Sequence, residues 1–139
     1  MRILFVDDDR DAVEHFINDL DRGGHTVKKV DTITQARQEL NAGSWPYELL
    51  ILDVQMRPSH DELRSEEASL KAGLTFYLDF REQLKDVPVV ILTNNLHRVP
   101  TRFVKEDPML RAWDKVAMAG RLSIEIHRWI RGATKPTSS

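Results

Sequence analysis

Three places in this sequence carry side chains suited to chemistry on a phosphoryl group. Asp7-Asp8-Asp9, Asp53 and Thr93 each follow a short run of large apolar residues. Carboxylates that lie close together repel one another and stay ionised when a cation sits between them. Oxygen ligands favour a hard ion such as Mg²⁺, and a carboxylate can attack phosphorus to give an acyl phosphate. These residue types therefore indicate a Mg²⁺ site and phosphoryl transfer, which also needs a lysine and a hydroxyl donor.

The apolar runs predict the elements that would bring these groups together. Each run is too short and too continuous for an amphipathic helix, and is typical of a parallel strand covered on both faces. Amphipathic helices separate the runs, so the chain repeats β and α about five times, which predicts a three-layer α/β/α sandwich. In such sheets the reactive groups lie just beyond the carboxyl ends of the strands. The predicted strands are 3–6, 25–30, 48–53, 89–92 and 111–116, and the predicted helices lie near 10–22, 33–42, 73–84 and 118–130.

Length and composition indicate an ordinary globular domain. The 139 residues are 41% apolar and 30% charged, with a net charge of −2 and no cysteine. This composition excludes disulfides and cysteine chemistry, and gives no global attraction to nucleic acid or to acidic membranes. No apolar run is long enough for a membrane span, and the first residues do not resemble a signal peptide, so we expect a cytoplasmic protein. We predict one domain over 1–132, with an insertion at about 57–71, and a flexible tail at 133–139.

Four motifs in order resemble one known family over most of the chain. They are Val6-Asp7-Asp8, the stretch 49–56, the stretch 88–93 and Asp114-Lys115. Together they resemble the receiver domain of two-component response regulators. The resemblance implies a flavodoxin-like, doubly wound, five-stranded parallel sheet with strand order 2-1-3-4-5.

The resemblance also implies a role for each matching acid. Asp53 would accept a phosphoryl group from a histidine kinase. Asp8 would bind Mg²⁺ directly, together with Asp53 and the backbone carbonyl of Gln55, while Asp7 would act through water.

Two further residues would contact the phosphoryl oxygens after transfer. The resemblance assigns these contacts to Thr93 and Lys115, and Lys105 is an alternative for the lysine. The sequence departs from the family beside both positions, because Asn94 and Val116 stand where a small residue and a proline are usual.

The aromatic residue that the family uses as a switch is also missing. Ala112 stands at that position, and the adjacent Trp113 would point to the opposite face of a strand. Conventional aromatic switching is therefore not predicted.

The sequence thus predicts a single-domain response regulator that is phosphorylated on Asp53 and signals through a changed surface or a phosphorelay. Its expected partners are a histidine kinase or phosphotransfer protein and a downstream protein, with a homodimer through the last strand and helix left open. The first alternative is a pseudo-receiver, an interaction module that is not phosphorylated. The second is an enzyme, either a flavin protein or a haloacid-phosphatase-like protein. Asp7 and Asp9 have the phosphatase spacing, but that reading leaves Asp53 without a role.

The polar stretch between Met56 and Ala72 is unusually long for a strand-to-helix connection. It begins three residues after Asp53 and is rich in charged residues. Long connections beside a reactive centre often carry function. We therefore predict that residues 59–70 gate access to Asp53 and help to select the partner.

Overall fold

Strands and helices alternate along the residues that the computed structural model describes, 1–54 and 66–134. The strands are β1 (Arg2–Val6), β2 (Thr26–Val30), β3 (Leu49–Leu52), β4 (Val89–Thr93) and β5 (Leu110–Asp114). The helices are α1 (Arg10–Arg22), α2 (Ile33–Asn41), α3 (Glu66–Gln83), α4 (Thr101–Glu106), α5 (Lys115–Met118) and α6 (Leu122–Thr134), with a 3₁₀ helix at Leu96–Arg98.

Within these residues the strands form a five-stranded parallel sheet in the order β2-β1-β3-β4-β5. The predicted fold class and strand order are therefore confirmed. Parallel strands need crossover connections, and the helices provide them on both faces of the sheet. The carboxyl ends of β1, β3, β4 and β5 consequently meet along one edge.

Alternate residues of each central strand enter two separate hydrophobic cores. Leu50 and Leu52 pack on the face covered by α2 and α3, whereas Leu49 and Ile51 pack on the face covered by α1 and α6. All four side chains are fully buried. A strand buried on both faces needs a continuous apolar sequence, which explains why these runs lack any hydrophobic period.

Helix α3 differs from the sequence prediction at its start. The prediction placed the helix from Gly73, but α3 already includes Glu66, so Gly73 lies in its interior. The residues before Gly73 are mostly good helix formers without an apolar stripe, so hydrophobic periodicity does not reveal them. Residues 57–65 of the predicted insertion, which include most of the predicted gate at 59–70, lie outside the described residues.

The region from 94 to 110 contains more helix than the sequence predicted. The 3₁₀ helix and α4 lie there, and Pro100 occupies the N-cap position of α4. A proline disrupts a helix interior but is tolerated at its start, where its missing N–H is not needed. Pro100 therefore restricts the position at which α4 begins, but it does not prevent the helix from forming.

The predicted last helix is divided into two. Gly120 has a φ of +72°, a conformation that ends α5 before α6 begins at Leu122. Helix α6 continues through Thr134, two residues into the predicted tail, and residues 135–139 lie outside the described part of the chain. None of the described helices combines the length and the apolarity that crossing a bilayer requires.

Candidate functional site

The strand ends bring the predicted site residues to one edge of the sheet. Asp7 follows β1 and Asp53 follows β3, and these strands are neighbours with Val6 opposite Leu52. The Asp53 N–H donates to the Val6 carbonyl at 2.9 Å, which extends the sheet pairing up to the carboxylate. Thr93 ends β4 and lies opposite the last residue of β5. The chemical groups are therefore positioned by the sheet itself.

Lys115 joins the two buried carboxylates. Its Nζ lies 2.9 Å from Asp53 Oδ2, to which it donates a hydrogen bond, and 2.6 Å from Asp7 Oδ2. Lys115 and Asp53 are each 5% exposed, and Asp7 is 0% exposed. We call Asp7, Asp53 and Lys115 the acid cluster. Lysine is seldom buried without a charged partner, so this placement shows that its ammonium is held by the carboxylates.

A helix cap directs the lysine into this position. The Asp114 carboxylate accepts a hydrogen bond from the Ala117 N–H at 3.1 Å and caps α5, whose first residue is Lys115. Asp is a favoured N-cap residue, because its carboxylate satisfies a backbone N–H that the first turn leaves unpaired. This cap was not predicted, because residues 111–116 were predicted to be a strand, whereas β5 ends at Asp114 and α5 begins at Lys115. The alternative lysine, Lys105, is exposed on α4.

The acid cluster holds more negative than positive charge when all its groups are ionised. Burial and, to a smaller extent, the neighbouring Asp53 carboxylate raise the pKa of Asp7 from 3.8 to about 6, although Lys115 and the Asp9 N–H act to lower it. Burial alone would lower the pKa of Lys115, but the Asp53 and Asp7 carboxylates outweigh it, and that pKa is raised. The lysine is therefore charged, whereas Asp7 is costly to ionise.

One oxygen of the cluster lacks a well-aligned hydrogen bond. Asp7 Oδ1 accepts from the Asp9 N–H at 2.9 Å. Asp7 Oδ2 pairs with the Lys115 ammonium at 2.6 Å but has no well-aligned hydrogen bond among residues 1–54 and 66–134. Buried polar atoms are normally satisfied, so such an oxygen at a strand end is a candidate ligand atom.

The fit to a metal ion rests on this oxygen and on charge. Asp7, Asp8 and Asp53 carry hard oxygen donors, and together with Lys115 they have an excess of two negative charges that one Mg²⁺ would balance. The part of the chain that the structure describes contains no group of three or more acids or histidines already arranged to hold a metal. Asp8 is half-buried, and Gln55, whose carbonyl was a predicted ligand, lies outside the described residues. The metal roles therefore stay predictions.

Thr93 supplies the hydroxyl at this edge. It is 1% exposed, and its Oγ1 accepts a hydrogen bond from the Asn95 N–H at 3.1 Å. Asn95 precedes the 3₁₀ helix. The hydroxyl proton is not used in that bond, so Thr93 can donate to an anion that approaches the carboxyl edge of the sheet.

The departures from the receiver pattern are visible on both sides of the site. Ala112 packs against the core on the α2 and α3 face, whereas Trp113 packs on the opposite face, with its ring 6.2 Å from that of Trp129. Trp113 therefore does not replace the missing aromatic side chain. Asn94 is exposed, and the Val116 side chain beside Lys115 is 78% exposed.

No family model matches the sequence, and no curated protein matches it. Solved structures do match over nearly the whole chain. The N-terminal domain of a response regulator/sensory box/GGDEF protein from Carboxydothermus hydrogenoformans has a TM-score of 0.70 at 21% identity, with 96% of each chain covered. Response regulator protein TrrA from Thermotoga maritima, in complex with Mg²⁺-BeF, has a TM-score of 0.63 at 20% identity, with 92% of this chain and 97% of TrrA covered.

A third similar structure is the complex of histidine kinase ThkA with response regulator TrrA, with a TM-score of 0.67 at 21% identity and coverage of 93% and 97%. These neighbours are response regulator receiver domains, alone or in complexes. The chain therefore has the receiver-domain fold, and the resemblance predicted from its motifs is confirmed at the level of the fold.

Proposed function

We propose that this chain is a response regulator receiver that accepts a phosphoryl group on Asp53 from the phosphohistidine of a kinase. The acid cluster carries this proposal: a buried ammonium is shared between Asp53 and a second carboxylate, at the carboxyl edge where Thr93 also ends its strand. Carboxylate, ammonium and hydroxyl at one strand edge are the groups that phosphoryl transfer needs.

The transfer step forms one bond and breaks another. An oxygen of the Asp53 carboxylate attacks phosphorus, and the bond between phosphorus and the imidazole nitrogen breaks, with its electron pair remaining on that nitrogen. The Lys115 ammonium and the Thr93 hydroxyl donate hydrogen bonds to the phosphoryl oxygens. Attack of water on the acyl phosphate later releases inorganic phosphate and restores the Asp53 carboxylate.

Mg²⁺ would be held by Asp7, Asp8, Asp53 and the Gln55 carbonyl, and it would neutralise charge on the phosphoryl oxygens. Asp7 Oδ2, which has no well-aligned hydrogen bond among the described residues, and the excess negative charge of the cluster support this assignment. Lys115 holds the remaining positive charge next to the acceptor.

Phosphorylation would reach the surface through Thr93. If the Thr93 side chain rotates towards the phosphoryl group, its hydrogen bond from the Asn95 N–H would be lost, which would alter the start of the 3₁₀ helix. The changed surface then acts on a downstream protein or passes the phosphate onward in the cytoplasm. The kinase partnership is supported by the ThkA–TrrA complex, whose regulator shares this fold. We also propose that two copies of the chain associate through β5 and α6.

Intact mass after incubation with acetyl phosphate and Mg²⁺ tests the proposal. We expect wild type to gain one phosphate and Asp53→Asn to gain none. EDTA should prevent the gain in wild type. Equal labelling of both proteins would show that Asp53 is not the acceptor.

One observation favours a second function, a pseudo-receiver that binds partners without being phosphorylated. Among the described residues the acids do not already form a metal-binding group, and Lys115 lies between two of them. A pseudo-receiver would show no phosphate gain and no stabilisation by Mg²⁺, yet would still bind its kinase or target.

A further inference from the structure

Helix α3 approaches the backbone beside Asp53 unusually closely, at Gly73. A Cβ atom added to Gly73 would lie 2.7 Å from both the Cα and the carbonyl oxygen of Val54, whereas ordinary contacts begin at 3.4 Å. Glycine in a helix interior costs about 1 kcal/mol relative to alanine. The close approach explains why glycine is nevertheless present at this position.

The residue that Gly73 contacts is joined directly to Asp53. On the other side of Asp53, its own N–H is held by the Val6 carbonyl at 2.9 Å. The Val54 side chain is 2% exposed and packs in the core beneath α2 and α3. The backbone is therefore held in place on both sides of Asp53. Asp53 Oδ2 lies 2.9 Å from Lys115 Nζ.

The helix cannot move away easily to make room for a larger residue at position 73. Phe76, Tyr77 and Phe80 follow on α3, and each is at most 2% exposed in the same core. Moving α3 outward would open cavities around three aromatic side chains, which is costly. We expect the Val54 backbone to yield instead, by roughly 0.7 Å if ordinary contact is to be restored.

We propose that Gly73 is a positioning residue for the acceptor. It acts through the Val54 backbone and does not touch the phosphoryl group, and it holds the Asp53 carboxylate at hydrogen-bond distance from Lys115. The inference rests on the proposed function for its kinetic consequence, whereas its structural consequence is independent of that function.

The test compares Gly73→Ala with two controls. Gly132→Ala makes the same change in α6, where nothing lies within 4 Å of the added Cβ. Leu20→Ala destabilises the other core, away from Asp53. We expect Gly73→Ala to lower the maximal rate of labelling by acetyl phosphate and Mg²⁺ by about 10- to 100-fold, the scale on which misplacement by about 1 Å slows catalysis.

Both controls should keep the wild-type labelling rate at a temperature where they are folded, although Leu20→Ala should melt earlier. In Gly73→Ala the loss should fall on the maximal rate rather than on the half-saturating acetyl phosphate concentration. A Gly73→Ala protein that is labelled as fast as wild type would overturn the inference. So would equal slowing in Gly73→Ala and in Leu20→Ala, since slowing would then follow from lost stability.

A crystal structure of Gly73→Ala separates this inference from the proposed function. If wild type is not labelled, the proposed function fails, but the structure still decides the role of Gly73. We expect the distance between Lys115 Nζ and Asp53 Oδ2 to increase from 2.9 Å to beyond hydrogen-bonding range. An unchanged distance would overturn the positioning role.

Discussion

A buried ionic cluster and a partly buried one lie at opposite ends of the parallel sheet. The acid cluster lies beyond the carboxyl ends of the strands, where two carboxylates share the Lys115 ammonium. The second cluster lies before the amino ends of β4 and β5, where Arg81 pairs with Asp107 and Tyr77 also bonds to that carboxylate. We call Tyr77, Arg81 and Asp107 the arginine network.

The arginine network is balanced in charge and rich in hydrogen bonds. Arg81 Nε donates to Asp107 Oδ2 at 2.8 Å, and Nη1 donates to the carbonyls of Leu84 at 2.8 Å and Val87 at 2.7 Å. Longer bonds reach the carbonyls of Lys85 and Met109. The network thereby ties the end of α3 to the loops that lead into β4 and β5.

The difference shows how one kind of chemistry serves two purposes. The arginine network satisfies its groups, which suits a part that only holds the fold together. The acid cluster has an excess of negative charge and a buried oxygen that has no well-aligned hydrogen bond among the described residues, which suits a place where a ligand completes the structure. The acid cluster should therefore destabilise the metal-free protein, whereas the arginine network should stabilise it, and both effects can be measured as changes in the free energy of unfolding.

The largest effect should come from breaking the arginine network. Arg81→Ala removes the partner of a largely buried carboxylate and leaves several carbonyls without their donor. We expect the free energy of unfolding to fall by about 3–5 kcal/mol, the range for removing one partner of a buried ion pair. Urea unfolding measures this loss.

Arg128→Ala is the matched control, because that arginine is exposed and pairs with Glu125 on the same helix at 3.3 Å. Its loss should cost less than about 0.5 kcal/mol. A cost below 1 kcal/mol for Arg81→Ala would contradict the structural role of the network.

The contrast between the two clusters also explains which parts the sequence could predict. Asp7, Asp53 and Thr93 follow continuous apolar runs, and carboxyl ends of parallel strands share an edge, so their meeting follows from local patterns. Arg81 and Asp107 show no such pattern. Their pairing depends on how α3 and the α4–β5 loop pack, which is tertiary information.

The second effect is a dependence of stability on pH in the metal-free protein. The pKa of Asp7 is about 6 in the folded protein, against an ordinary value of 3.8 for an aspartate side chain. The folded state therefore binds a proton more readily than the unfolded state between these values, and stability falls as pH rises from about 4 to about 6. At about 1.4 kcal/mol per pKa unit, the loss approaches 3 kcal/mol.

Melting in EDTA from pH 4 to 7 measures this dependence, and Asp7→Asn is the control. Other carboxylates titrate in both proteins, so the difference between the two curves isolates Asp7. We expect the melting temperature of Asp7→Asn to increase relative to that of wild type as pH rises. Parallel curves would mean that Asp7 ionises at no cost to the fold.

The start of α3 could not be predicted from local patterns either. The first turns of α3 precede Gly73 without an apolar stripe, so periodicity gave no signal for them. The role of Gly73 depends on how closely α3 approaches Val54, which no local pattern records. By contrast, the predicted end of the first helix near residue 22 agrees with α1, and Gly24 just beyond it takes a φ of +87° that glycine favours.

A third effect should distinguish the two candidate lysines. Lys115→Met keeps a chain of similar length but leaves two buried carboxylates without their cation. We expect a loss of about 2 kcal/mol at neutral pH, because Asp7 can take up a proton and so limit the cost. Lys105→Met changes an exposed residue on α4 and should stay within about 0.5 kcal/mol of wild type. Equal losses in urea unfolding would remove the basis for assigning Lys115.

The smallest effect is stabilisation by Mg²⁺, and it should belong to the acid cluster alone. A ligand that binds the folded state at ten times its Kd adds about 1.4 kcal/mol to the free energy of unfolding. We expect this increment in wild type, and a much smaller one in Asp7→Asn, which loses both an ionised ligand and negative charge.

Arg81→Ala sharpens this last comparison, because its network lies at the other end of the sheet from the acid cluster. Distant sites contribute additively to within about 0.5 kcal/mol. Mg²⁺ should therefore add as much to the free energy of unfolding of Arg81→Ala as it adds to that of wild type. The metal-free value should remain lower in Arg81→Ala than in wild type. If the increment disappears in Arg81→Ala, the two clusters are coupled through α3. If it persists in Asp7→Asn, the metal binds elsewhere and the excess charge of the acid cluster has another purpose.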